Sequence, residues 1–360
     1  MPATTGMKGS GFYDRHSTAQ LAAIQFVFDW IEKAIANIQM PSDAQPFSIL
    51  DCGSSEGGNA LIVMSRVVEG VRQRRPQQLI HTMYSDLPSN NFNRLFLNLD
   101  GARTAKRIPA GVYASATAGS FYEPLVPPRS IHFAMAFNAL LWMDKLPSVV
   151  LPDFVVYRRP HPPHRGPQVT PETADAFARQ ADGDLTRFLR CRADELTAGG
   201  KLLIASPGDS AEHRLGDGIY DLLNDACLDL VAAGQLSRQR YERFTMPVYF
   251  RTVEETLAPL EREESPVKGA FSVDRAETLE VPTPFFVEFD RSGDATKLAD
   301  DYTGFLRAVS ESVARVALVA DDADGTILDE LYKRIHTRVK TEPKRYRFRY
   351  LLTTTLFTRR

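Results

Sequence analysis

The stretch Ile49-Leu50-Asp51-Cys52-Gly53-Ser54-Ser55-Glu56-Gly57-Gly58-Asn59 decides the fold of this chain. An apolar strand runs into a glycine-rich turn, and a helix begins directly after it. Glycine lets the backbone approach a ligand closely, and a helix N-terminus favours anionic groups. In open sheets of parallel strands, ligands bind at the carboxyl ends of the strands, where this turn lies. The pattern indicates a nucleotide-type cofactor, with an ordinary glycine-rich strand-to-helix turn as the alternative.

Strands and helices alternate on both sides of this turn. The predicted strands cover residues 79–86, 112–121, 130–140 and 201–208, and the predicted helices cover 18–39, 58–74, 94–99 and 171–198. The last of these helices is expected to end at Gly199-Gly200. This alternation indicates an α/β fold, with a mostly parallel sheet that helices cover on both faces.

The second half of the chain differs in pattern from the first. Residues 209–310 are mainly helical in pattern and are predicted to form a cap lining the substrate pocket, whereas 1–208 and 311–360 form the core. The threonine-rich C-terminus predicts a last strand returning to the sheet. Basic residues from Lys333 onward could hold phosphate, but we favour a solvated strand edge and helix face. The proline-rich segment 158–167 is predicted to be a surface loop.

Two further motifs follow the first turn at suitable places. Asp86, in Tyr84-Ser85-Asp86-Leu87-Pro88, ends the second strand, where a carboxylate can accept hydrogen bonds from both hydroxyls of a ribose. Gly119-Ser120-Phe121-Tyr122 combines a hydroxyl with aromatic rings, which suits an adenine ring. Taken alone, each has an ordinary alternative, namely a strand-end cap for Asp86 and core packing for Phe121. Their order along the chain makes the two motifs support each other.

Four motifs together resemble those of a known enzyme family. Tyr13, Ser17 and Gln20 resemble the family's opening Tyr…Asn-Ser…Gln, and 51–55 resembles its Asp-Leu-Gly-Cys-Ser-Ser-Gly. Residues 85–93, Ser-Asp-Leu-Pro-Ser-Asn-Asn-Phe-Asn, closely resemble Asn-Asp-Leu-Pro-x-Asn-Asp-Phe-Asn, and the Gly-Ser-Phe-Tyr motif matches directly. The family is the SABATH family, the salicylate, benzoate and caffeine-pathway methyltransferases. Further similar blocks extend the resemblance over nearly the whole chain.

This resemblance implies a Rossmann-like class I methyltransferase sheet with a mainly helical cap. It also implies an enzyme that uses S-adenosyl-L-methionine (SAM) to form methyl esters of small carboxylic acids. By similarity, Gln20 and Trp142 hold the substrate carboxylate through a side-chain amide N–H and an indole N–H. A carboxylate is ionised at neutral pH, so no general base is needed. By the same similarity, the residues that bind SAM are Tyr13, Ser17, Asp51, Gly53, Asn59, Asp86, Leu87, Ser120 and Phe121.

The chain departs from the family pattern in the segment before Trp142. Ala136 and Phe137 stand where the family has two small hydroxyl residues, and Leu141 stands where His or Met is common. These changes remove polar contacts and predict an apolar pocket, suited to a small aromatic or isoprenoid acid.

Composition excludes several other classes of protein. The net charge of −2 disfavours nucleic acid as a partner, and no apolar stretch is long enough to span a membrane. The three cysteines and seven histidines show no metal-ligand spacing, so no metal site is predicted. A cytoplasmic enzyme with a small-molecule carboxylic acid as its partner is expected, and the resemblance allows a homodimer.

Three alternatives to ester formation stay open at this stage. A SABATH enzyme can also methylate nitrogen on a small heterocycle, although the presence of Gln20 and Trp142 favours a carboxylate. An NAD-dependent oxidoreductase would use the same kind of sheet, but its GxGxxG turn is missing from 49–59. A non-catalytic binding module would keep the fold without the chemistry.

Overall fold

The computed structural model describes residues 7, 9, 11–42, 44–151, 153–159, 169–319 and 325–360. Within these residues the chain forms seven strands and twelve helices. The strands are β1 (Phe47–Cys52), β2 (Ile80–Asp86), β3 (Val112–Ala118), β4 (Ile131–Phe137), β5 (Leu196–Pro207), β6 (Phe271–Val281) and β7 (Tyr350–Arg359). The helices are α1 (Phe12–His16), α2 (Thr18–Phe26), α3 (Phe28–Asn37), α4 (Gly58–Arg74), α5 (Phe92–Thr104), α6 (Pro171–Glu195), α7 (Ile219–Ala232), α8 (Arg238–Arg243), α9 (Val253–Glu261), α10 (Pro284–Ser292), α11 (Ala295–Leu318) and α12 (Thr326–Thr341).

One mixed sheet runs through the molecule in the order β3-β2-β1-β4-β5-β7-β6. The first five strands are parallel, whereas β7 runs antiparallel to both of its neighbours. All six residues of β1 are buried, as expected for a central strand covered on both faces. The chain leaves β1 towards β2 on one side and returns to β4 on the other. This reversal opens a crevice at the carboxyl end of β1, where the glycine-rich turn lies.

The C-terminal strand lies inside the sheet, so the prediction of a solvated strand edge there is wrong. β7 pairs with β5 on one side and with β6 on the other, and Thr353, Thr354 and Thr355 are buried. The outer strand is β6, which falls within residues 209–310. Most of its side chains are exposed or half-buried, so its sequence mixes charged and apolar residues. This mixture resembles the pattern of a surface helix.

Several element boundaries also differ from those expected. The predicted helix 18–39 is broken at Val27 into α2 and α3. Helix α6 ends at Glu195, and Gly199-Gly200 lie in β5, beside a register irregularity with β4. The predicted strand 130–140 ends at Phe137, and an isolated bridge further along the chain pairs Trp142 with Val248. Only residues 158 and 159 of the predicted loop 158–167 lie within the described residues.

Most helices of the second half pack on one another beside the sheet. α11 contacts α8, α10 and α12, and α12 contacts α7 as well. Aromatic rings fill the space between α10, α11 and the chain before β7, with Phe285 stacked on Tyr302 at 5.2 Å and Phe305 stacked on Phe348 at 5.9 Å between ring centroids. The helical cluster therefore continues into α12, which lies beyond residue 310. Among the described residues, no helix is both long enough and apolar enough to cross a membrane.

Candidate active site

The glycine-rich turn after β1 is anchored to the neighbouring strand by its backbone. The N–H groups of Gly53 and Ser54 both donate to the Ser85 carbonyl at 2.9 Å. Gly53 has φ 96° and Gly57 has φ 95°, which are left-handed conformations that favour glycine. Gly57 is the N-cap of α4 and has no side chain to cap the helix, and the Asp14 carboxylate accepts a backbone hydrogen bond at Gly58. The turn therefore presents bare backbone to the crevice at the end of β1.

Gly53 has no room for a side chain, which gives a prediction on stability. A Cβ atom added there would lie 2.8 Å from the Ala139 Cβ. We expect Gly53→Ala to cost about 1–3 kcal/mol of unfolding free energy, because strain at positive φ adds to the clash. The matched control is Gly101→Ala on α5, where the added Cβ meets nothing within 4 Å and should stabilise the helix. Urea unfolding compares the two variants, and equal effects would contradict the prediction.

Asp86 ties the turns after β1 and β2 together. Its Oδ2 accepts a hydrogen bond from the Ser55 N–H at 2.6 Å, and its Oδ1 accepts one from the Leu87 N–H at 2.8 Å. Burial raises the pKa of this carboxyl, and the two backbone donors oppose the rise. A carboxylate has about four acceptor positions, so two remain for a ligand.

Asp51, at the carboxyl end of β1, is a second buried acid. Burial raises its pKa to about 7, the hydrogen bond with Ser54 lowers it, and the charge of Asp86 adds to the rise. Within the part of the chain that the structure describes, no cationic side chain contributes to the pKa of either carboxyl. Two buried acids without a cation make this region favourable to a positively charged ligand.

Two adjoining cavities open at the carboxyl ends of β1, β2 and β4. They share the lining residues Tyr13, Gly53, Ser55, Phe137 and Asn138. Of the predicted site residues, those lining the first cavity are Tyr13, Gly53, Asp86, Leu87, Ser120, Phe121 and Trp142. Those lining the second are Tyr13, Asp51, Gly53 and Asn59. The structure thus brings nine of the eleven predicted residues to one place.

The other two predicted residues, Ser17 and Gln20, line neither cavity but lie next to residues that do. The Asn59 Nδ2 donates to the Ser17 Oγ at 3.2 Å, and the Asn138 Nδ2 donates to the Gln20 backbone carbonyl at 3.4 Å. The Gln20 side chain is 3% exposed, and among the described residues its amide oxygen and nitrogen have no hydrogen-bond partner. An unsatisfied buried amide is costly, so this side chain suits a polar ligand group.

Three residues of the site were missed from the sequence. The Asn90 amide donates to the Ser55 carbonyl at 2.7 Å, and Asn90 lies within the Asp-Leu-Pro motif. The Glu56 Oε2 accepts a hydrogen bond from the Gly11 N–H at 2.8 Å and so holds the N-terminal segment over the turn. Asn138 has φ 51° and accepts a hydrogen bond from the Tyr350 hydroxyl at 3.0 Å. Asn90 and Glu56 lie within the sequence motifs, whereas the position of Asn138 after β4 carries no such signal.

A buried ion pair supports the loop that carries Phe121. Arg192 and Glu195 are paired at 2.7 Å, with side chains 0% and 2% exposed. Arg192 also donates to the Phe121 carbonyl at 2.9 Å, and Glu195 accepts a hydrogen bond from the Leu125 N–H at 2.6 Å. The pair therefore fixes both ends of this loop on α6.

Breaking this pair should be strongly destabilising. We expect Arg192→Met to lower the free energy of unfolding by about 3–5 kcal/mol, because Glu195 would stay buried without its cation. Arg190→Met on the same helix is the control, since Arg190 is exposed. Urea denaturation measures both variants, and an Arg192→Met protein as stable as the control would rule out this role.

Comparison with known proteins identifies the family of this chain. Residues 3–360 match the family model described as SAM dependent carboxyl methyltransferase. The chain belongs to this family. The SABATH resemblance drawn from the motifs is thereby confirmed, together with SAM as the cofactor. This SAM-dependent carboxyl methyltransferase forms methyl esters of carboxylic acids, so the oxidoreductase alternative is wrong.

Individual relatives cover most of the chain. Gibberellic acid methyltransferase 2 of Arabidopsis thaliana is 28% identical over 91% of this chain and 86% of its own length. Indole-3-acetate O-methyltransferase 1 of Oryza sativa subsp. japonica is 30% identical over 88% of this chain and 81% of its own length. Among solved structures, loganic acid methyltransferase with SAH superposes with a TM-score of 0.80 at 23% identity, covering 98% of both chains. This likeness confirms the class I methyltransferase fold.

The site of this carboxyl methyltransferase fits SAM. The cofactor is positively charged at its sulfonium sulfur and at its ammonium group, and no described cation pairs with the two buried acids Asp51 and Asp86. The two cavities that these acids line are both bounded by Gly53, where any side chain would clash. Among the described residues, no group of three His, Cys, Asp or Glu side chains is arranged to hold a metal ion.

Proposed function

We propose that the chain methylates the carboxylate of a small acid with an apolar body, and that Gln20 and Trp142 hold that carboxylate. The observation that carries this proposal is the buried Gln20 amide, which lacks a partner among the described residues. The carboxylate of a substrate would accept the hydrogen bond that the Gln20 amide N–H can donate. Trp142 lines the same cavity as the proposed cofactor residues, so a carboxylate bound to it would lie beside the cofactor.

We assign the cofactor residues by chemistry. Asp86 with Leu87 would hold the ribose, and Ser120 with Phe121 the adenine ring. The methionine part of SAM would lie against Tyr13, Ser17, Asp51, Gly53 and Asn59, where the acidic group of Asp51 suits its positive charge. When bound, SAM supplies an electrophilic methyl group, which the carboxylate oxygen accepts as the sulfonium becomes a neutral thioether.

The protein residues have only positioning to do in this reaction. The acid is already ionised at neutral pH, so the site needs no general base. Gln20 and Trp142 would orient one carboxylate oxygen, and such orientation can supply up to about 7–11 kcal/mol of the barrier. The buried surroundings exclude water, which strengthens both hydrogen bonds.

The lining of the cavities supports an apolar substrate body. Phe137 lines both cavities, and Tyr122, Ala139 and Met143 line the first. Leu141 is buried but lines neither, so only part of the expected apolar lining comes from the segment before Trp142. Relatives named for gibberellic acid and indole-3-acetate point to the same substrate class.

A substrate panel tests this proposal. The pure protein is incubated with methyl-labelled SAM and small apolar acids, with their amides and with xanthines as controls. We expect organic-extractable, base-labile label from acids alone. Label on xanthines would replace the proposal with N-methylation, and no label from any acid while SAM binds would contradict it.

We further propose a cytoplasmic homodimer without a nucleic-acid or membrane partner. In it the helices of residues 209–310 form the cap on a core of 1–208 and 311–360, and β6 belongs to the sheet of that core. The low net charge supports the absence of nucleic acid. The packing of α12 on α7 and α11 suggests that the cap also takes in α12. Light scattering on the purified chain tests the dimer directly, and a monomeric mass would contradict it.

A further inference from the structure

The segment from Asn138 to Asp144 carries Trp142 but belongs to neither a helix nor a regular strand. Its polar backbone groups therefore need partners from elsewhere in the fold. The Tyr249 N–H donates to the Leu141 carbonyl at 2.8 Å, and the Met143 N–H donates to the Pro247 carbonyl at 2.8 Å. Two further carbonyls, on either side of Leu141, are bound by side chains.

Tyr122 and Arg251 supply these two side-chain donors. The Tyr122 hydroxyl donates to the Trp142 carbonyl at 2.5 Å, and one Arg251 guanidinium nitrogen donates to the Leu140 carbonyl at 2.5 Å. The other terminal nitrogen of Arg251 donates to the Ala181 carbonyl on α6 at 2.7 Å. Tyr122 is 4% and Arg251 is 6% exposed, so water does not compete for these bonds.

Arg251 is an unusual choice for a buried position. Its Nε has no hydrogen-bond partner among the described residues. Its charge acts on the buried Asp184 carboxyl, and its guanidinium lies over the Tyr249 ring at 5.9 Å and bonds the Tyr122 hydroxyl. A buried guanidinium is costly to place. Its two hydrogen bonds to backbone carbonyls go to Leu140, two residues before Trp142, and to Ala181.

We propose that Tyr122 and Arg251 are positioning residues for Trp142, given the carboxylate-holding role proposed for it above. Together they fix the peptide groups on both sides of Leu141 and link them to α6. This sets the direction in which the Trp142 indole leaves the backbone. A site that works by orientation alone is sensitive to such a shift.

The first test observes Trp142 directly and needs no substrate. The chain has only two tryptophans, so 5-fluorotryptophan labelling of the full chain gives two ¹⁹F resonances, assigned with Trp142→Phe. We expect Tyr122→Phe and Arg251→Met to shift or broaden the Trp142 resonance and leave that of Trp30 in place. Tyr241→Phe is the matched control, because its buried hydroxyl donates to Asn224 at 2.8 Å instead.

The second test separates positioning from general damage. With the best acid of the panel, we expect Tyr122→Phe to lower kcat about tenfold, while the KM for the acid and the Kd for S-adenosylhomocysteine stay within about twofold. Arg251→Lys, which keeps the charge and one donor, should recover part of the loss seen in Arg251→Met. Tyr122→Phe removes a single oxygen atom and carries the test alone if Arg251→Met does not fold.

An unmoved Trp142 resonance in Tyr122→Phe and in the arginine variants would overturn this inference. So would a kcat that stays at the wild-type value. A failure of the proposed function would give a different result. Trp142→Phe would then keep full activity, whereas Tyr122→Phe and Arg251→Met would still shift the Trp142 resonance.

Discussion

Asp51→Asn should greatly weaken the binding of SAM and at the same time raise the free energy of unfolding of the free protein. The substitution removes a buried negative charge that no cation among the described residues compensates and that the cofactor's positive charge would compensate. We expect the Kd for SAM at about pH 8 to rise about 100-fold or more, as for loss of one partner of a buried charge pair. Isothermal titration calorimetry measures this change.

The gain in stability follows from the raised pKa of Asp51, which is about 7 in the folded protein against an ordinary aspartate value of 3.8. Between these two values the folded state binds the proton more strongly than the unfolded state, so stability falls as the pH rises towards 7. Asn has no such loss, and we expect Asp51→Asn to gain about 1–3 kcal/mol at neutral pH and above. Asp100→Asn, at an exposed position, is the control.

The same group predicts how SAM binding varies with pH. Because ionised Asp51 is the form that binds a cation, the affinity should fall as the pH drops below about 7, by at most about tenfold per pH unit. The profile should be flat in Asp51→Asn. Asp51→Asn protein that binds SAM as the wild type does, or that is less stable, would contradict this role for Asp51.

The second large effect concerns the substrate carboxylate. We expect Gln20→Leu and Trp142→Phe each to lower kcat/KM for the acid by about 10–100-fold, the worth of one hydrogen bond to a charged group. Both substitutions place an apolar side chain where the polar N–H group was, and neither should change the Kd for SAM. Initial-rate kinetics with the best acid of the panel measure the loss.

Stability separates this role of Gln20 from a structural one. Because the buried amide has no partner among the described residues, Gln20→Leu should raise the free energy of unfolding while it lowers activity. Gln25→Leu, at an exposed position on the same helix, should change neither quantity. A destabilised Gln20→Leu protein would mean that the amide serves the fold, and full activity would remove it from the site.

The parts of the fold that the sequence predicted are those set by neighbouring residues. β1, its glycine turn and α4 could be recognised because the strand, the turn and the helix start lie within a few residues of one another. Asp86 was recognised because it directly follows a buried strand. β6 was not predicted because it is the outermost strand and most of its side chains are exposed or half-buried. Its sequence therefore lacks the regular alternation of apolar and polar residues that indicates a strand.

The parts of the site that could not be predicted depend on contacts between distant residues. Arg251 reaches Leu140 across 111 positions, and Tyr350 reaches Asn138 across 212. No local pattern records that the backbone after β4 would lack a helix and need side-chain donors. Gln20 was named from the family motif, but its unsatisfied amide became visible only once α2 was packed into the fold.

The most direct measurement of the central claim is the identity of the atom that receives the methyl group. The protein is incubated with trideuteromethyl-labelled SAM and the best acid of the panel, carrying ¹⁸O in both carboxylate oxygens, and the product is analysed by mass spectrometry. The account predicts one deuterated methyl group, both ¹⁸O atoms retained, and loss of the methyl group as methanol on treatment with base. A product whose methyl group resists base, or a deuterated methyl group found on nitrogen or carbon, would contradict it.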